Sequence, residues 1–521
     1  MRRLRDEERG AVMLDKDTFD TIIIGAGIGG LTTGNFLAKN GQSVLILEKH
    51  HQVGGYVTTY RQKNYPMDVV HVIGGLRNGA PIDRIFRYLN LYRKVQFNEV
   101  EKTFIYRFPG YDISCYTDVE KYRAELKSTF PEEKENIDRV LDEMAAAWEE
   151  IMACYYNPSL LKLATYPIRF PRLVRYQRWS FEKFLGQFTA NHKLKKVLSG
   201  GWGFNGLNMS RIAATKMIGM LMSYHTGGAW YPKGGFQNLS NALAENFEEY
   251  GGLIKTRAQV KRIIMRDKAA VGVVTDKGEQ FFARNIISNA DTKSTFLKLV
   301  EEDSLPSKLR EKVRNYKQSV SGLVVHLVVD MHIAEDLSCG CLMYFPSFDT
   351  DEHQFSLWER GQMEPNADSM GFGMAVSTLK DKQMVPDGKH ILDLIYMPAP
   401  YQYFERDKRE EYIGLKEDIS ERMIQAAEHI IPDLGKHVLI KDVSTPLTYE
   451  RYTGAIEGGW YDIDCSPKQA RIKNKTPIRG LYLTGAKTIP GSGMYTSILA
   501  GLCTADSILQ GRLTRGRMTL R

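Results

Sequence analysis

The sequence predicts an α/β fold: a doubly wound parallel sheet assembled from separated segments, with a mixed-sheet domain and a helical lid beside it. Three observations lead there. An apolar strand near the N-terminus runs directly into a glycine cluster, Gly25-Ala26-Gly27-Ile28-Gly29-Gly30. A second apolar strand follows one helix later and ends on an acid, Glu48. A third strand with a glycine end, Gly480-Leu481-Tyr482-Leu483-Thr484-Gly485, stands close to the C-terminus.

Residues 1–16 are polar and charged, so the fold is expected to begin near Phe19, where residues 19–24 (FDTIII) read as a short buried strand. A helix follows to about Asn40, Gly41 stops it, and residues 44–47 form the second strand. Strand, helix and strand make a βαβ unit. Gly25 permits its tight turn, Gly27 lets the backbone approach a pyrophosphate, and Gly30 lets helix and strand pack closely. The phosphates of a dinucleotide then sit at the helix N-terminus, where free amide donors and the helix dipole favour negative charge. Glu48 is placed to accept hydrogen bonds from a ribose 2′-hydroxyl, and its charge repels a 2′-phosphate, which argues against NADP. This is the Rossmann-type arrangement.

Between residues 126 and 226 the pattern is helical, with an acidic amphipathic stretch (PEEKENIDRVLDEMAAAWEE) giving way to a basic aromatic one. From residue 253 onward strands dominate: apolar runs at 260–265, 269–275 and 281–289 are divided by the turn signals Arg266-Asp267-Lys268 and Asp276-Lys277-Gly278. Residues 321–330 (SGLVVHLVVD) form a further strand, and a helix over 405–429 precedes Pro432. The strand 480–484 leads into a glycine-rich turn and a closing helix to about Leu509. There is no internal repeat. At 521 residues the chain exceeds what one ordinary core serves, so about two or three packed units are expected.

Composition narrows the class. With 43% hydrophobic and 25% charged residues the chain is globular, neither disordered nor fibrous. The net charge of +8 is concentrated at Arg2, Arg3 and Arg5 and at Arg512, Arg515, Arg517 and Arg521. These tails are solvated or attracted to anionic lipid; no nucleic-acid motif accompanies them, and no nucleic-acid partner is expected. Six cysteines lack the spacing of a disulfide framework or a zinc site, so a reduced compartment and no metal are expected. Cys339 and Cys341, two apart, share one face if they lie on a strand. No run approaches the roughly 18 apolar residues that span a bilayer, and the N-terminus lacks a signal peptide's apolar core. No Ser-His-Asp or Cys-His arrangement supports hydrolysis or acyl transfer.

Residues 151–190 interleave Lys162, Arg169, Arg172, Arg175, Arg178 and Lys183 with aromatics such as Tyr166, Phe170, Tyr176, Trp179 and Phe184, broken by prolines at 158, 167 and 171. Rings settle at headgroup depth while Arg and Lys meet anionic phosphates, so this segment reads as membrane-facing; the alternative is a solvated helical face over a core. A cytoplasmic, peripherally membrane-associated protein is expected.

After Glu48 the chain reads Lys49-His50-His51-Gln52-Val53-Gly54-Gly55, and this E-x5-G-G extension resembles the FAD-binding signature of the large flavoprotein family that includes amine oxidases, phytoene desaturases and carotenoid isomerases. Gly480 to Ala486 resembles that family's C-terminal strand, and Ile286-Ile287-Ser288-Asn289-Ala290-Asp291 its middle strand. Pro66-Met67-Asp68-Val69-Val70-His71-Val72-Ile73-Gly74 is similar to the D-x-G-x-H-x-x-G stretch of retinol saturases and related carotenoid enzymes, with Val70 in place of the glycine. Trp230-Tyr231-Pro232-Lys233-Gly234-Gly235 resembles the segment that re-enters the FAD domain, and Gly485 to Met494 the G-A-x-T-x-P-G-x-G turn of bacterial phytoene desaturases.

The resemblance implies FAD, held by Gly25, Gly27, Gly29, Gly30, Glu48, Lys49, Gly54, Gly55, Val260, Gly485, Ala486, Gly493 and Met494. It implies an FAD-binding domain of residues 17–76, 228–298 and 476–510, a substrate domain of 77–125 and 299–475, and a lid of 126–227. Hydride exchange with a carbon of a hydrophobic isoprenoid polyene follows, as carotenoid or retinoid desaturation, saturation or cis-trans isomerisation. His71 is either a proton donor beside the flavin or a buried structural histidine. Tyr495 is a second catalytic candidate, and Lys487 and Glu457 carry no motif. The other readings are an amine-oxidase-like enzyme on a smaller substrate and a non-enzymatic lipid escort, against which the intact glycine and Glu48 set speaks.

Overall fold

The computed structural model describes residues 17–156, 166–386 and 388–515. Arg2, Arg3, Arg5, Arg517 and Arg521 of the basic tails, and Pro158 and Lys162 of the basic aromatic stretch, lie outside the described residues.

Five strands from three distant parts of the chain lie parallel in one sheet, in the order Leu253–Lys255, Val44–Leu47, Thr18–Ile24, Gln280–Ser288 and Leu481–Leu483. The antiparallel strands Val260–Arg266 and Ala269–Thr275 extend the same sheet from Gln280–Ser288. The last four residues of Thr18–Ile24 and all of Val44–Leu47 are buried, the signature of a parallel sheet covered on both faces. On one face lies the helix Ile28–Lys39, packed between Phe236–Glu249 and the closing helix Met494–Ile508. Close approach there requires glycine: a Cβ at Gly34 would meet the Phe247 ring at 3.1 Å, and one at Gly501 would meet Thr32 at 2.8 Å.

A second, mixed sheet runs Val438–Ser444, Ser321–Val329, His390–Ala399, Phe372–Val376, Cys341–Tyr344, Lys102–Phe108 and Tyr111–Tyr116. Its pairings are antiparallel except Cys341–Tyr344 against Lys102–Phe108. All nine residues of Ser321–Val329 are buried, so a continuous apolar run marks the sheet interior. Cys339 precedes the strand that holds Cys341, although both thiols are buried.

The helices Val119–Thr129 and Lys134–Tyr156 begin the helical region; Asp118 caps the first by accepting from the N–H groups of Glu120 and Lys121. The basic aromatic stretch divides its residues between inside and outside. Phe170, Tyr176, Phe181 and Phe184 are buried, and Arg172 pairs with Glu143 and Glu150, which ties it to Lys134–Tyr156. Arg169, Arg175, Arg178 and Lys183 are exposed, and Ile168 is 83% exposed.

Candidate functional site

The N-terminal glycine cluster forms a cradle that side chains would fill. Gly25 has φ +96°, and its N–H donates to the Leu47 carbonyl at 2.8 Å. A Cβ on Gly30 would lie 2.2 Å from the Gly25 carbonyl oxygen, and one on Gly29 only 2.4 Å from the Cα of Gly485. Gly54 (φ +118°) donates its N–H to the Ala26 carbonyl at 2.9 Å, which lays the Gly54-Gly55 pair against Gly27. Gly27 caps the helix Ile28–Lys39 without any side-chain hydrogen bond. The first amide donors of that helix are therefore left for an anion, and Gly27, Ile28 and Gly29 line the cavity there.

Glu48 is buried at the end of its strand, with Oε2 accepting from Ala26 N–H at 2.7 Å and Oε1 from His50 N–H at 2.8 Å. These bonds fix the carboxylate beside the cradle and leave lone pairs for a ribose hydroxyl. Burial nevertheless raises its pKa. Lys49 reaches away from the glycines: its Nζ donates to the Arg451 carbonyl at 2.9 Å. Val260 lines the cavity beyond Glu48.

The C-terminal turn meets the same cradle. Gly485 has φ +67°, and a Cβ on it would lie 2.3 Å from Oδ1 of Asn289. Asn289 also donates through Nδ2 to the Gly25 carbonyl at 3.4 Å, so one side chain joins both glycine turns. Gly30 and Gly485 do not line the cavity; they act from behind by letting its walls close. Ala486 lines it and accepts from Arg471 at 2.5 Å. Gly493 (φ +103°) caps Met494–Ile508, again with no side-chain bond, so a second uncapped helix start opens on the cavity with Met494 and Tyr495 in its wall. The Tyr495 hydroxyl is buried without a partner.

Absent side chains, uncapped helix starts and a fixed carboxylate fit a dinucleotide flavin. Bound there, FAD supplies two-electron exchange with carbon. The cavity measures about 1730 Å³, above the roughly 300–1,000 Å³ of ordinary ligand pockets, so cofactor and substrate fit in it together. Beyond the cradle its walls are apolar and aromatic, with Trp148, Ile151, Phe204, Met343, Phe345 and Met397 among them.

His71 lines this cavity, and its Nδ1 lies 3.4 Å from Oδ2 of the fully buried Asp393. The other Asp393 oxygen is 2.6 Å from Nδ1 of His326, its register partner on the neighbouring strand. Lys380 donates to the His71 carbonyl at 2.9 Å. Burial pushes the His71 imidazole down to about 4 despite Asp393, so the ring is neutral at physiological pH. Neither Nδ1 of His71 nor Oδ2 of Asp393 makes a hydrogen bond at that distance, so Asp393 stands beside the ring without fixing its tautomer. Asn289 stands in the middle-strand motif but was not singled out as a site residue, and no local motif marks Asp393, His326 or Lys380, which tertiary pairing brings behind His71.

Comparison with known proteins agrees with this geometry. Residues 28–509 match the family model described as flavin containing amine oxidoreductase. All-trans-retinol 13,14-reductase of Danio rerio is 28% identical, covering 95% of this chain and 86% of its own length. Chloroplastic prolycopene isomerase of Arabidopsis thaliana is also 28% identical, covering 94% of this chain and 82% of its own length. Among solved structures, an oxidoreductase from Methanosarcina mazei superposes with TM-score 0.62 at 18% identity, over 94% of this chain and 99% of that one. Putrescine oxidase bound to putrescine gives TM-score 0.62 at 16% identity, over 95% and 99%. With its FAD cradle intact and the match running nearly from end to end, the chain belongs to the flavin containing amine oxidoreductase family as an FAD-dependent oxidoreductase.

Proposed function

We propose that this enzyme acts on carbon–carbon bonds of a long isoprenoid polyene, a carotenoid or retinoid, and that it works with reduced FAD as a saturase or isomerase. The observation that carries the reading is the large cavity, which continues from the FAD cradle past His71 into apolar and aromatic walls. A polyene offers no heteroatom near its reacting bond, so enclosure and positioning count for more than acid–base groups. The relatives named for retinol reduction and prolycopene isomerisation support the substrate class. In saturation, bound reduced FAD would supply a hydride to one carbon, and the chain's own task would be to bring a proton to the other. His71 in the cavity wall is the group read as carrying that proton: it would take the proton up from water and release it to the carbon, leaving the imidazole neutral as before.

The same reading places the enzyme at a membrane surface on the cytoplasmic side, where such substrates dissolve. The exposed Ile168 among Arg169, Arg175 and Arg178 supports it.

The test is anaerobic incubation of the holoenzyme, its FAD reduced beforehand, with retinoids and carotenoids in liposomes. A polyene should gain two hydrogens or change geometry alone, and His71→Phe should abolish saturation while FAD stays bound. Removal of two hydrogens by oxidised enzyme, equally well in His71→Phe, would establish a desaturase and a structural histidine. Turnover of small amines in place of polyenes would establish the amine-oxidase reading.

A further inference from the structure

Beneath the C-terminal glycine turn lies a cluster of charges that the sequence motifs do not explain. Lys216, in the helix Ala214–Gly227, donates through Nζ to the Pro490 carbonyl at 2.5 Å. A Cβ on Gly491 would lie 2.7 Å from that Nζ and 3.3 Å from Nε of Arg471, so both cations flank the same glycine. Arg471 is buried and balanced: it lies 3.5 Å from Asp462 and donates to the carbonyls of Tyr461, Ile463 and Ala486. Lys487 shares Asp462 at 3.6 Å, and Asp291 is buried nearby, with its pKa raised by burial and by Asp462.

Lys216 alone in this group has no acid. Among the described residues no carboxylate comes within 4.0 Å of its Nζ, and two of its three N–H donors have no protein acceptor. The accessible part of its side chain faces the cavity, whose wall also contains Pro490, Ser492 and Gly493. The titratable groups facing it are Arg471 and Cys465; burial first, then Arg471, pull its pKa down to about 8. An enclosed cation without a counter-charge is unfavourable unless a ligand brings one. Of the two ligands that share this cavity, a polyene carries no charge, and the pyrophosphate of FAD is taken by the amide donors of the cradle at Gly27. The remaining source of negative charge is the flavin ring, which gains it near N1 and the C2 carbonyl on reduction.

We propose that Lys216 is the counter-charge of the reduced cofactor: its ammonium, held against the Pro490-Gly491 turn, stabilises reduced FAD over oxidised FAD and so raises the reduction potential. The uncapped start of Met494–Ile508 acts in the same direction, but as a fixed dipole it does not titrate. The proposal rests on the FAD assignment and is independent of the substrate.

The experiment is potentiometric titration of bound FAD against pH in wild type, Lys216→Met and Lys216→Arg holoenzymes. Lys216→Met should lose tenfold or more of the preference for reduced over oxidised cofactor, a potential lower by about 30 mV, whereas Lys216→Arg stays near wild type. Above about pH 8 the oxidised wild-type enzyme has lost the Lys216 proton, so reduction takes up one proton more. The potential should then fall more steeply by about 30 mV per pH unit, an added slope absent from both variants and kept in Cys465→Ser. An unchanged potential in Lys216→Met overturns the proposal. So does a wild-type potential with no added slope above about pH 8, a readout that needs no variant to fold. Failure of the FAD assignment would look different, as a colourless protein with no flavin to titrate.

Discussion

Single side chains set both cofactor affinity and acid sensitivity. Glu48 is held by two backbone N–H groups and turned toward the site of a ribose, so Glu48→Ala removes a charged acceptor and loosens the cradle at Ala26. FAD affinity should fall about ten- to a hundredfold, the equivalent of roughly 1.5–3 kcal/mol, read as flavin absorbance retained after dialysis. Full retention would remove Glu48 from the ribose. His225, like His71, is pushed by burial from 6.5 to about 4. Between those values the unfolded chain binds a proton that the folded chain does not, so each histidine makes stability fall on acidification by about 1.4 kcal/mol per pH unit. Asp68 and Asp351, whose pKa values burial raises, titrate in the opposite sense, and the informative quantity is therefore a difference. Urea unfolding of His225→Phe at pH 5 and pH 6 should show a slope smaller than wild type by that amount; equal slopes would mean that His225 is protonated in the fold.

At the scale of elements, the helical region does two jobs with one sequence. Lys134–Tyr156 and the short helices Tyr166–Arg169 and Pro171–Tyr176 bury one aromatic set and leave a basic set outside. Arg172 is partly exposed but tied to Lys134–Tyr156 through Glu143 and Glu150, so a test of membrane docking must spare it. Replacing Arg169, Arg175 and Arg178 with Gln should weaken sedimentation with anionic liposomes by about 1 kcal/mol per cation, with little change on neutral ones. Equal binding of wild type to both kinds of vesicle would leave the segment no electrostatic role.

At the scale of the whole molecule, one cavity joins the cofactor sheet, the mixed sheet and the helical region, so a ligand in it holds all three together. Restoring FAD to stripped protein at a hundredfold excess over Kd should add about 2.7 kcal/mol, seen as one cooperative unfolding transition moving up. A transition that splits, with part of the molecule indifferent to FAD, would refute that coupling. The sequence by itself determined the parallel sheet and its three contributing segments, because glycines that need positive φ and an acid at a strand end are local requirements, legible at Gly25, Gly485 and Glu48, while FAD followed from the resemblance of the extension after Glu48 to a family signature. The strands at 260–266, 269–275 and 321–329 were legible for the same reason, since burial imposes apolar runs between turn residues. The tertiary structure alone decided that Asn289 would tie two glycine turns, that Asp393 would stand between His71 and His326, and that Lys216 would lie without an acid under Pro490. Those are pairings across tens to hundreds of residues, and their chemistry comes from desolvation and from the charge of neighbours distant in the chain, which no local spacing encodes.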